Sequence, residues 1–284
     1  MIADVRDLVW CYLPQNNWLQ KIIRENFEKI VCRSLSLYDH VTVTNKVEKD
    51  WLLEHAQLDK SKLSILSNGI SSEKFDRLTS LKYHRRNSPF VITYVGNIGN
   101  GQDLQPLIDT VKGMKDVMLN VIGDGIEYKK FSNLVRNENI GNIHLHGKLK
   151  WSRVLPFYQS SSLLYARLGE NYDSAIPSKL YEYLSTGLPV VFHGSGFAKE
   201  FLMQFENTFF VKNDDPESLK NILAQLGKSM PEQSMYNRDK IEKLYLRENI
   251  NENLTPIINK LFSISSENTV DDDPILLVLQ EDAI

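Results

Sequence analysis

The segment PSKLYEYLSTGLPVV, residues 177–191, carries the start and stop signals of a short helix followed by a buried strand. Pro177 suits the first helical position and Gly187 suits the end. The free N–H groups at such a helix tip attract an anion, and Lys179 adds a positive charge there. Glu182 lies three residues further on, on about the same helical face, where its carboxylate can accept hydrogen bonds from sugar hydroxyls. The segment predicts a phosphate and sugar site, although a plain Lys–Glu surface pair is the alternative.

Short β-rich runs alternate with helical patterns from residue 89 onward, which is typical of a parallel sheet with crossover helices. Several runs are apolar throughout, as strands covered on both faces require. We therefore predict an α/β fold with one complete Rossmann-like domain at residues 89–228. Its strands cover residues 91–95, 118–122, 142–146, 162–166, 189–192 and 208–211, and its helices begin near residues 104, 126, 152, 177, 198 and 216.

The first 75 residues have the pattern of a partial second Rossmann-like domain. Its elements are a helix at 18–37, a strand at 40–44, a helix at 46–54 and a strand at 63–66. The first helix is amphipathic and basic, so it can lie on an anionic membrane surface. Glu25 and Glu28 dilute that charge, however, and a packed helix is the commoner origin of this pattern.

Three further segments complete the predicted organisation. Residues 76–88 are polar and basic and are interpreted as an interdomain linker. Residues 229–263 predict terminal helices, and residues 264–284 predict a disordered tail. Asp271, Asp272 and Asp273 could suggest a divalent metal site, but consecutive acids in a tail are usually solvated.

Composition excludes several classes of protein. The 284 residues carry a formal net charge of -3, so a polycationic surface for nucleic acid is not expected. The two cysteines, Cys11 and Cys32, have no zinc-site or disulfide-framework spacing, which fits a reducing cytoplasm. No apolar run approaches the ~20 residues that span a bilayer. We expect a cytoplasmic protein that can be peripheral on the inner face of the cell membrane.

Glycine turns follow three of the predicted strands. The first is Gly96-Asn97-Ile98-Gly99-Asn100-Gly101, the second Gly123-Asp124-Gly125 and the third His146-Gly147-Lys148. The first turn matches neither the dinucleotide fingerprint nor the P-loop pattern, which disfavours a nicotinamide dehydrogenase or a P-loop NTPase. Ligands of open α/β sheets bind at the carboxyl ends of strands. The three turns and the 177–191 helix therefore predict one crevice.

These ordered motifs resemble the retaining GT-B glycosyltransferases of family 4, in particular those that build bacterial surface polysaccharides. The resemblance covers most of the chain. Residues 38–44 and 63–70, with the Asn68-Gly69 turn, look like the end of the family's N-terminal, acceptor-side domain. Residues 94–96, 122–125 and 177–191 match its nucleotide-sugar domain in order and spacing.

The resemblance implies roles for individual residues. Glu182 matches the second glutamate of the family's E-x7-E motif and would bind the donor ribose, while Lys179 would hold the diphosphate; these two are the implied catalytic residues. No metal or other cofactor is implied, because the site itself can stabilise the leaving diphosphate. The implied donor-binding residues are Gly96, Asn97, Gly99, Gly123, Gly125, Gly147, Lys148, Arg167, Ser174, Ala175, Ile176, Ser178, Lys179 and Glu182.

The chain departs from the family pattern in two places. Ser174 stands where the first glutamate of E-x7-E is expected, and Asp173 or Glu170 could substitute for it. The Gly96 turn lacks the usual arginine and lysine, which leaves Arg167 and Lys179 for the diphosphate. The first strands of the N-terminal domain are also missing, so we expect a truncated product, a misassigned start or one half of a split enzyme.

The resemblance implies transfer of a sugar from a nucleotide-diphosphate sugar to a glycan or lipid-linked acceptor. One alternative is a non-catalytic nucleotide-sugar-binding subunit that needs a partner chain to complete the N-terminal domain. Another is a GT-B nucleotide-sugar epimerase, which would need acid/base carboxylates and a histidine in the cleft.

Overall fold

Two parallel β-sheets organise the chain, whose computed structural model describes residues 1–83, 89–211 and 215–268. The smaller sheet has the order β1-β2-β3 and the larger has the order β6-β5-β4-β7-β8-β9. The strands are β1 (Ile2–Val5), β2 (His40–Val43), β3 (Leu63–Ile65), β4 (Phe90–Val95), β5 (Val117–Ile122), β6 (Ile143–Gly147), β7 (Leu163–Arg167), β8 (Val190–His193) and β9 (Thr208–Val211). The predicted α/β fold is confirmed.

Helices connect the strands and close the chain. Those of the first part are α1 (Trp18–Leu35), α2 (Lys46–His55) and α3 (Ser72–Thr79). Those of the larger sheet are α4 (Gln105–Val111), α5 (Tyr128–Asn137), α6 (Trp151–Ser160), α7 (Lys179–Thr186), α8 (Gly196–Leu202) and α9 (Pro216–Lys228). Three further helices follow, α10 (Met235–Tyr245), α11 (Arg247–Glu252) and α12 (Thr255–Asn268).

The six-stranded sheet reverses its strand order between β4 and β7. Strands β4, β5 and β6 extend in one direction, and β7, β8 and β9 extend in the other. In doubly wound sheets, ligands bind at the carboxyl ends of the strands beside such a reversal, which here are those of β4 and β7. All six observed strands lie within one residue of their predicted bounds, and the helices begin within two residues of theirs.

Both faces of the larger sheet are covered by helices. Successive residues of β7 point to opposite faces, so Leu164 and Ala166 join one apolar cluster while Leu163 and Tyr165 join the other. The first cluster includes residues of α6, α7 and α8, and the second includes residues of α4, α5 and α9. This two-sided burial explains why the inner strands are largely apolar.

The three-stranded sheet packs around a smaller core. Val41 and Val43 of β2 are fully buried with Leu52 of α2 and Leu35 of α1. Helix α1 also carries a solvent-exposed apolar stripe, formed by Trp18, Leu19, Ile22, Ile23, Phe27 and Ile30. The residues of α1 that are partly buried against the rest of the chain include the polar Gln20, Arg24 and Glu28. We call the six exposed residues the α1 stripe.

Part of the predicted linker is helical rather than irregular. Residues 76–88 begin inside α3, where Ser71 caps the helix by accepting a hydrogen bond from the Lys74 amide. Phe75 and Leu78, three residues apart, are buried on one side of α3. The surrounding sequence is polar, so this short apolar pair was not recognised as the buried side of a helix. Residues 84–88 lie outside the described residues.

The terminal helices return to the first part of the chain. The Ile70 amide donates to the carbonyl of Tyr245, and the Arg247 amide donates to the carbonyl of Ile70. Helix α12 continues to Asn268, so the first five residues of the predicted tail, 264–268, are helical. Residues 269–284, with the three aspartates, lie outside the described residues. The domain boundaries themselves remain a proposal.

Candidate functional site

The turns after β4 and β5 and the last residue of β6 pack directly on one another. The Gly96 amide donates to the carbonyl of Ile122 at 2.9 Å, and the Gly123 amide donates to the carbonyl of Gly147 at 2.9 Å. Gly123 has φ +146°, and a Cβ atom there would lie 1.8 Å from the Gly96 carbonyl oxygen. Only glycine allows this approach. The contact brings three of the predicted donor-binding glycines to one edge of the sheet.

The longer first turn is closed by its neighbour. The Ile98 amide donates to the carbonyl of Asp124 at 2.8 Å, and a Cβ atom on Gly125 would lie 2.4 Å from the Ile98 carbonyl oxygen. Asn97 remains exposed and donates to the Gln102 side chain at 3.2 Å. The backbone at this edge is therefore fixed, and polar amides border it.

Lys179 contacts the first glycine turn, as the sequence predicts. Its ammonium donates to the Tyr94 hydroxyl at 3.0 Å and lies 4.2 Å from the centre of that ring. A Cβ atom on Gly96 would lie 2.5 Å from the same nitrogen, so glycine makes room for the lysine. Burial lowers the pKa of Lys179 to about 7. The ammonium has no carboxylate partner among the described ion pairs, and an anion at this edge would stabilise its charge.

Helix α7 begins at Lys179, two residues later than predicted. Ser178 is its N-cap, and the Leu180 amide donates to the carbonyl of Pro177. The Ala175 amide donates to the carbonyl of Tyr172 at 3.1 Å, so this predicted ligand amide already has a partner. The tip amides of Ser178 and Lys179 are the ones without an intrahelical acceptor.

Glu182 and Lys179 contact different residues. Its Oε2 accepts hydrogen bonds from Trp151 Nε1 and the Tyr158 hydroxyl, both at 3.1 Å. Its Oε1 accepts a hydrogen bond from Lys74 Nζ at 3.0 Å. Trp151 and Tyr158 both belong to α6, the helix that follows β6, so these contacts attach the carboxylate to α6. Burial and the Glu182 charge raise the pKa of Tyr158, which keeps its hydroxyl a donor.

Ser174, at the position of the absent glutamate, contacts the first part of the chain. Its hydroxyl lies 3.0 Å from that of Tyr12, and its carbonyl accepts a hydrogen bond from Asn45 Nδ2 at 2.8 Å. The rings of Tyr12 and Tyr172 lie 4.7 Å apart. The loop before α7 is therefore held by residues associated with the smaller sheet. Asp173, a predicted substitute for the glutamate, is exposed.

Arg167 ends β7 and is already paired. One of its terminal nitrogens lies 3.1 Å from Asp103, and the other lies 3.2 Å from His193 Nδ1. Burial and the Arg167 charge lower the pKa of His193 to about 4, so this histidine is neutral near pH 7. Only Arg167 Nε is buried without a partner among the atoms of this guanidinium. A diphosphate would compete with Asp103 for the predicted Arg167 contact.

The remaining predicted residues add little to these contacts. Ile176 and Ala175 are buried, Lys148 is exposed beyond β6, and Gly99 accepts hydrogen bonds from the amides of the turn that follows it. Sequence reasoning missed Lys74, Tyr94, Trp151, Tyr158 and Tyr12. Of these, only Tyr94 lay next to a motif that could have indicated it.

Two other features bear on the site. A cavity of about 600 Å³ lies at the opposite edge of the sheet, lined in part by Ser162 and Pro189, which precede β7 and β8. We do not assign it to a donor, because ligands of such sheets bind at the carboxyl ends. In the described ranges, no group of three or more His, Cys, Asp or Glu side chains could hold a metal ion. None of the helices described is long and apolar enough to cross a membrane.

Comparison with known proteins identifies the family and the fold. Residues 78–243, more than half of the chain, match the family described as "Glycosyl transferases group 1". An uncharacterized glycosyltransferase of Methanocaldococcus jannaschii, MJ1178, is 24% identical over 206 residues, which cover 72% of this chain and 51% of that protein. The chain therefore spans about half the length of this curated relative.

Solved glycosyltransferase structures share the fold. Sucrose-phosphate synthase from Thermosynechococcus elongatus has a TM-score of 0.73 at 17% identity, covering 93% of this chain and 68% of that one. The Anabaena protein Alr3699/HepE, solved with UDP and glucose, has a TM-score of 0.66 at 13% identity, covering 91% and 71%. The lipopolysaccharide outer core galactosyltransferase WaaB has a TM-score of 0.62 at 16% identity, covering 93% and 75%. The α/β fold is that of the GT-B glycosyltransferases.

Proposed function

Because the chain belongs to the glycosyl transferases group 1 family, we propose that it transfers a sugar from a nucleotide-diphosphate sugar to a glycan or lipid-linked acceptor. We further propose retaining, family 4 chemistry in the biosynthesis of a surface polysaccharide, on the cytoplasmic side of the membrane. The observation that carries this proposal is the contact of Lys179 with the Gly96 turn, at the switch point of the sheet.

The diphosphate would lie between the Gly96 turn and the tip of α7. There the Ser178 and Lys179 amides and the Lys179 ammonium supply positive charge. As the glycosidic bond breaks, negative charge grows on the departing diphosphate, and these groups stabilise it without rearranging. We propose that these groups stabilise the leaving diphosphate, as a bound metal ion does in other enzymes. The prediction that the reaction needs no metal remains untested.

The nucleoside would extend from the diphosphate across the Gly123 and Gly147 turns. Glu182, fixed by Trp151 and Tyr158, would accept hydrogen bonds from the ribose. The donor sugar would face Ser174 and Tyr12, since these hydroxyls meet beside the loop before α7. Hydroxyl groups at this place can bind sugar hydroxyls where a glutamate is absent.

The test is calorimetric titration with UDP, GDP and ADP, followed by a donor-hydrolysis assay with the corresponding nucleotide sugars. We expect one nucleoside diphosphate to bind, and Glu182→Ala to weaken it about tenfold or more. Glu182→Gln, which retains an acceptor for Trp151 and Tyr158, separates loss of the carboxylate from loss of packing. Glu200→Ala, an exposed glutamate on α8, is the control. Unchanged affinity in both Glu182 variants would remove the ribose role.

A second candidate is a nucleotide-sugar-binding subunit that acts with a partner chain. The α1 stripe supports it, because large apolar patches on a surface usually mark an interface. Peripheral contact with a membrane would use the same surface. Nucleotide binding without donor hydrolysis would favour the subunit, whereas hydrolysis by the chain alone would favour the enzyme.

A further inference from the structure

The two oxygens of the Glu182 carboxylate differ in their hydrogen bonds: Oε2 accepts two, and Oε1 is bound to Lys74 and can accept another. Oε2 accepts two hydrogen bonds, from Trp151 and from the fully buried Tyr158. Within the described ranges Oε1 accepts one, from Lys74 of α3, and so retains acceptor capacity there. Any hydroxyl that binds Glu182 therefore meets Oε1, and the Lys74 ammonium lies 3.0 Å from that oxygen.

The Lys74–Glu182 pair is both anchored and accessible. Its side chains are 40% and 17% exposed, so a ligand can reach them. Lys74 Nζ also lies 5.3 Å from the centre of the Trp151 ring, which limits where the ammonium can go. The residues are 108 positions apart, so the contact is not a helical i,i+4 pair. The pair therefore presents a hydrogen-bond acceptor and a hydrogen-bond donor side by side, in positions that neighbouring side chains restrict.

We infer that Lys74 is a second donor-binding residue, which with Glu182 binds the vicinal 2′- and 3′-hydroxyls of a ribonucleoside diphosphate and selects it over the 2′-deoxy form. The inference rests on the proposed donor site. Each ribose hydroxyl is both a donor and an acceptor. One hydroxyl donates to Glu182 Oε1 while the neighbouring oxygen accepts from Lys74. A 2′-deoxyribose leaves one member of the pair without its ligand, and such a site rejects the analogue.

Arg77 provides a matched control on the same helix. It lies one turn beyond Lys74, and its guanidinium is 5.2 Å from the centre of the same Trp151 ring. Its ion-pair partner is the exposed Glu73, at 3.8 Å, and not Glu182. Replacing Arg77 thus removes a cation beside Trp151 without touching the pair. Lys74→Arg retains a cationic donor, and Lys74→Met retains the chain length without one.

The experiment measures dissociation constants of UDP, GDP and ADP and of their 2′-deoxy analogues by calorimetry. For the nucleotide that binds, we expect the wild type to prefer the ribose form by about tenfold or more. Lys74→Met should reduce this preference to about threefold or less, mainly by weakening the ribose form, while Lys74→Arg retains most of it. Arg77→Met should keep the wild-type preference. A purely structural role for Lys74 would weaken both forms equally.

The outcomes separate this inference from the proposed function. Tight binding with equal affinity for both forms, or a preference that survives Lys74→Met, would overturn the role of Lys74 and leave the donor site standing. A preference lost equally in Arg77→Met would also overturn it. Absence of binding by all three ribonucleotides would overturn the donor site and this inference together. Thermal unfolding of each variant checks that the fold is kept.

Discussion

The two sheets differ in how completely their own helices cover them. The inner residues of β4 and all of β8 are buried, because helices lie on both faces of the six-stranded sheet. In the three-stranded sheet β1 has no buried residue, and α1 exposes its apolar stripe. The larger sheet carries the glycine turns and a complete core. The region of the smaller sheet carries the exposed α1 stripe, so the two regions should respond differently to substitution.

Each region also contains a titratable side chain whose pKa is shifted to about 7, and the two side chains lie in different surroundings. Burial lowers the pKa of Lys179 to about 7 and raises the pKa of Glu48 to about 7. Lys179 lies beside the Gly96 turn, where its ammonium donates to the Tyr94 hydroxyl. Glu48 is fully buried in the first turn of α2 and accepts two hydrogen bonds from Thr44. In our proposal Lys179 binds a ligand, whereas Glu48 joins a helix to its strand.

The largest expected effect is on the packed turns of the larger sheet. Gly123→Ala places a Cβ atom 1.8 Å from the Gly96 carbonyl oxygen at a φ of +146°. We expect a loss of about 3 kcal/mol or more in the free energy of unfolding, or failure to fold, because two backbones must separate. Urea unfolding measures it.

Gly113→Ala is the control for this prediction, because a Cβ atom there meets nothing within 4 Å. That variant should change the free energy of unfolding by less than about 0.5 kcal/mol. Similar stability for the two variants would show that the turns separate without cost, and the glycine edge would then not be a rigid element.

Local signals predicted the larger sheet because most of its strands are largely apolar and are bounded by turn residues. Its order, with β7 beside β4, places the 177–191 helix at the glycine edge, and the motifs indicated that. The partners of Glu182 could not be predicted, since Lys74, Trp151 and Tyr158 are distant in sequence and carry no local pattern.

The smaller region was harder to predict for a related reason. The apolar spacing of the first helix predicted its amphipathic character, but the favoured interpretation, a helix packed through its apolar side, is wrong for the α1 stripe, which is exposed. Leu78 of α3 lay within the polar segment 76–88, which composition marked as a linker, and its partner Phe75 lay just before that segment. Hydrophobic periodicity predicts where helices and strands occur. Which side of a helix is buried depends on the elements that pack against it, and those cannot be deduced from the periodicity of that helix alone.

The next effect is on ligand binding. Lys179→Met should weaken nucleoside diphosphate binding about ten- to a hundredfold, because a buried charge facing the diphosphate is lost. Above pH 7 the free protein loses the Lys179 proton, while a bound diphosphate keeps it. Wild-type affinity should therefore fall several-fold between pH 7 and 9, whereas that of Lys179→Met should not. Calorimetry at each pH measures both, and parallel pH profiles would contradict the role of Lys179.

A smaller effect is expected from Glu48. Its pKa is raised by burial from 4.5 to about 7, so the folded state holds the proton more tightly than the unfolded state. This contribution is complete below pH 4.5 and is lost as the pH rises through 7. Relative to wild type, Glu48→Gln should gain about 1–2 kcal/mol in the free energy of unfolding between pH 5 and pH 8. Glu54→Gln, exposed on the same helix, should show no such gain.

The smallest effect is expected on the α1 stripe. Replacing Ile23 and Ile30, which are 56% and 63% exposed, by serine should change the free energy of unfolding by no more than about 0.5 kcal/mol. Leu35→Ser, on the buried side of α1, should cost about 2–4 kcal/mol. Because exposed apolar patches promote association, the double variant should also scatter less light at high concentration. A loss of stability as large as that of Leu35→Ser would mean that the stripe is covered in solution, and the contrast between the two sheets would disappear.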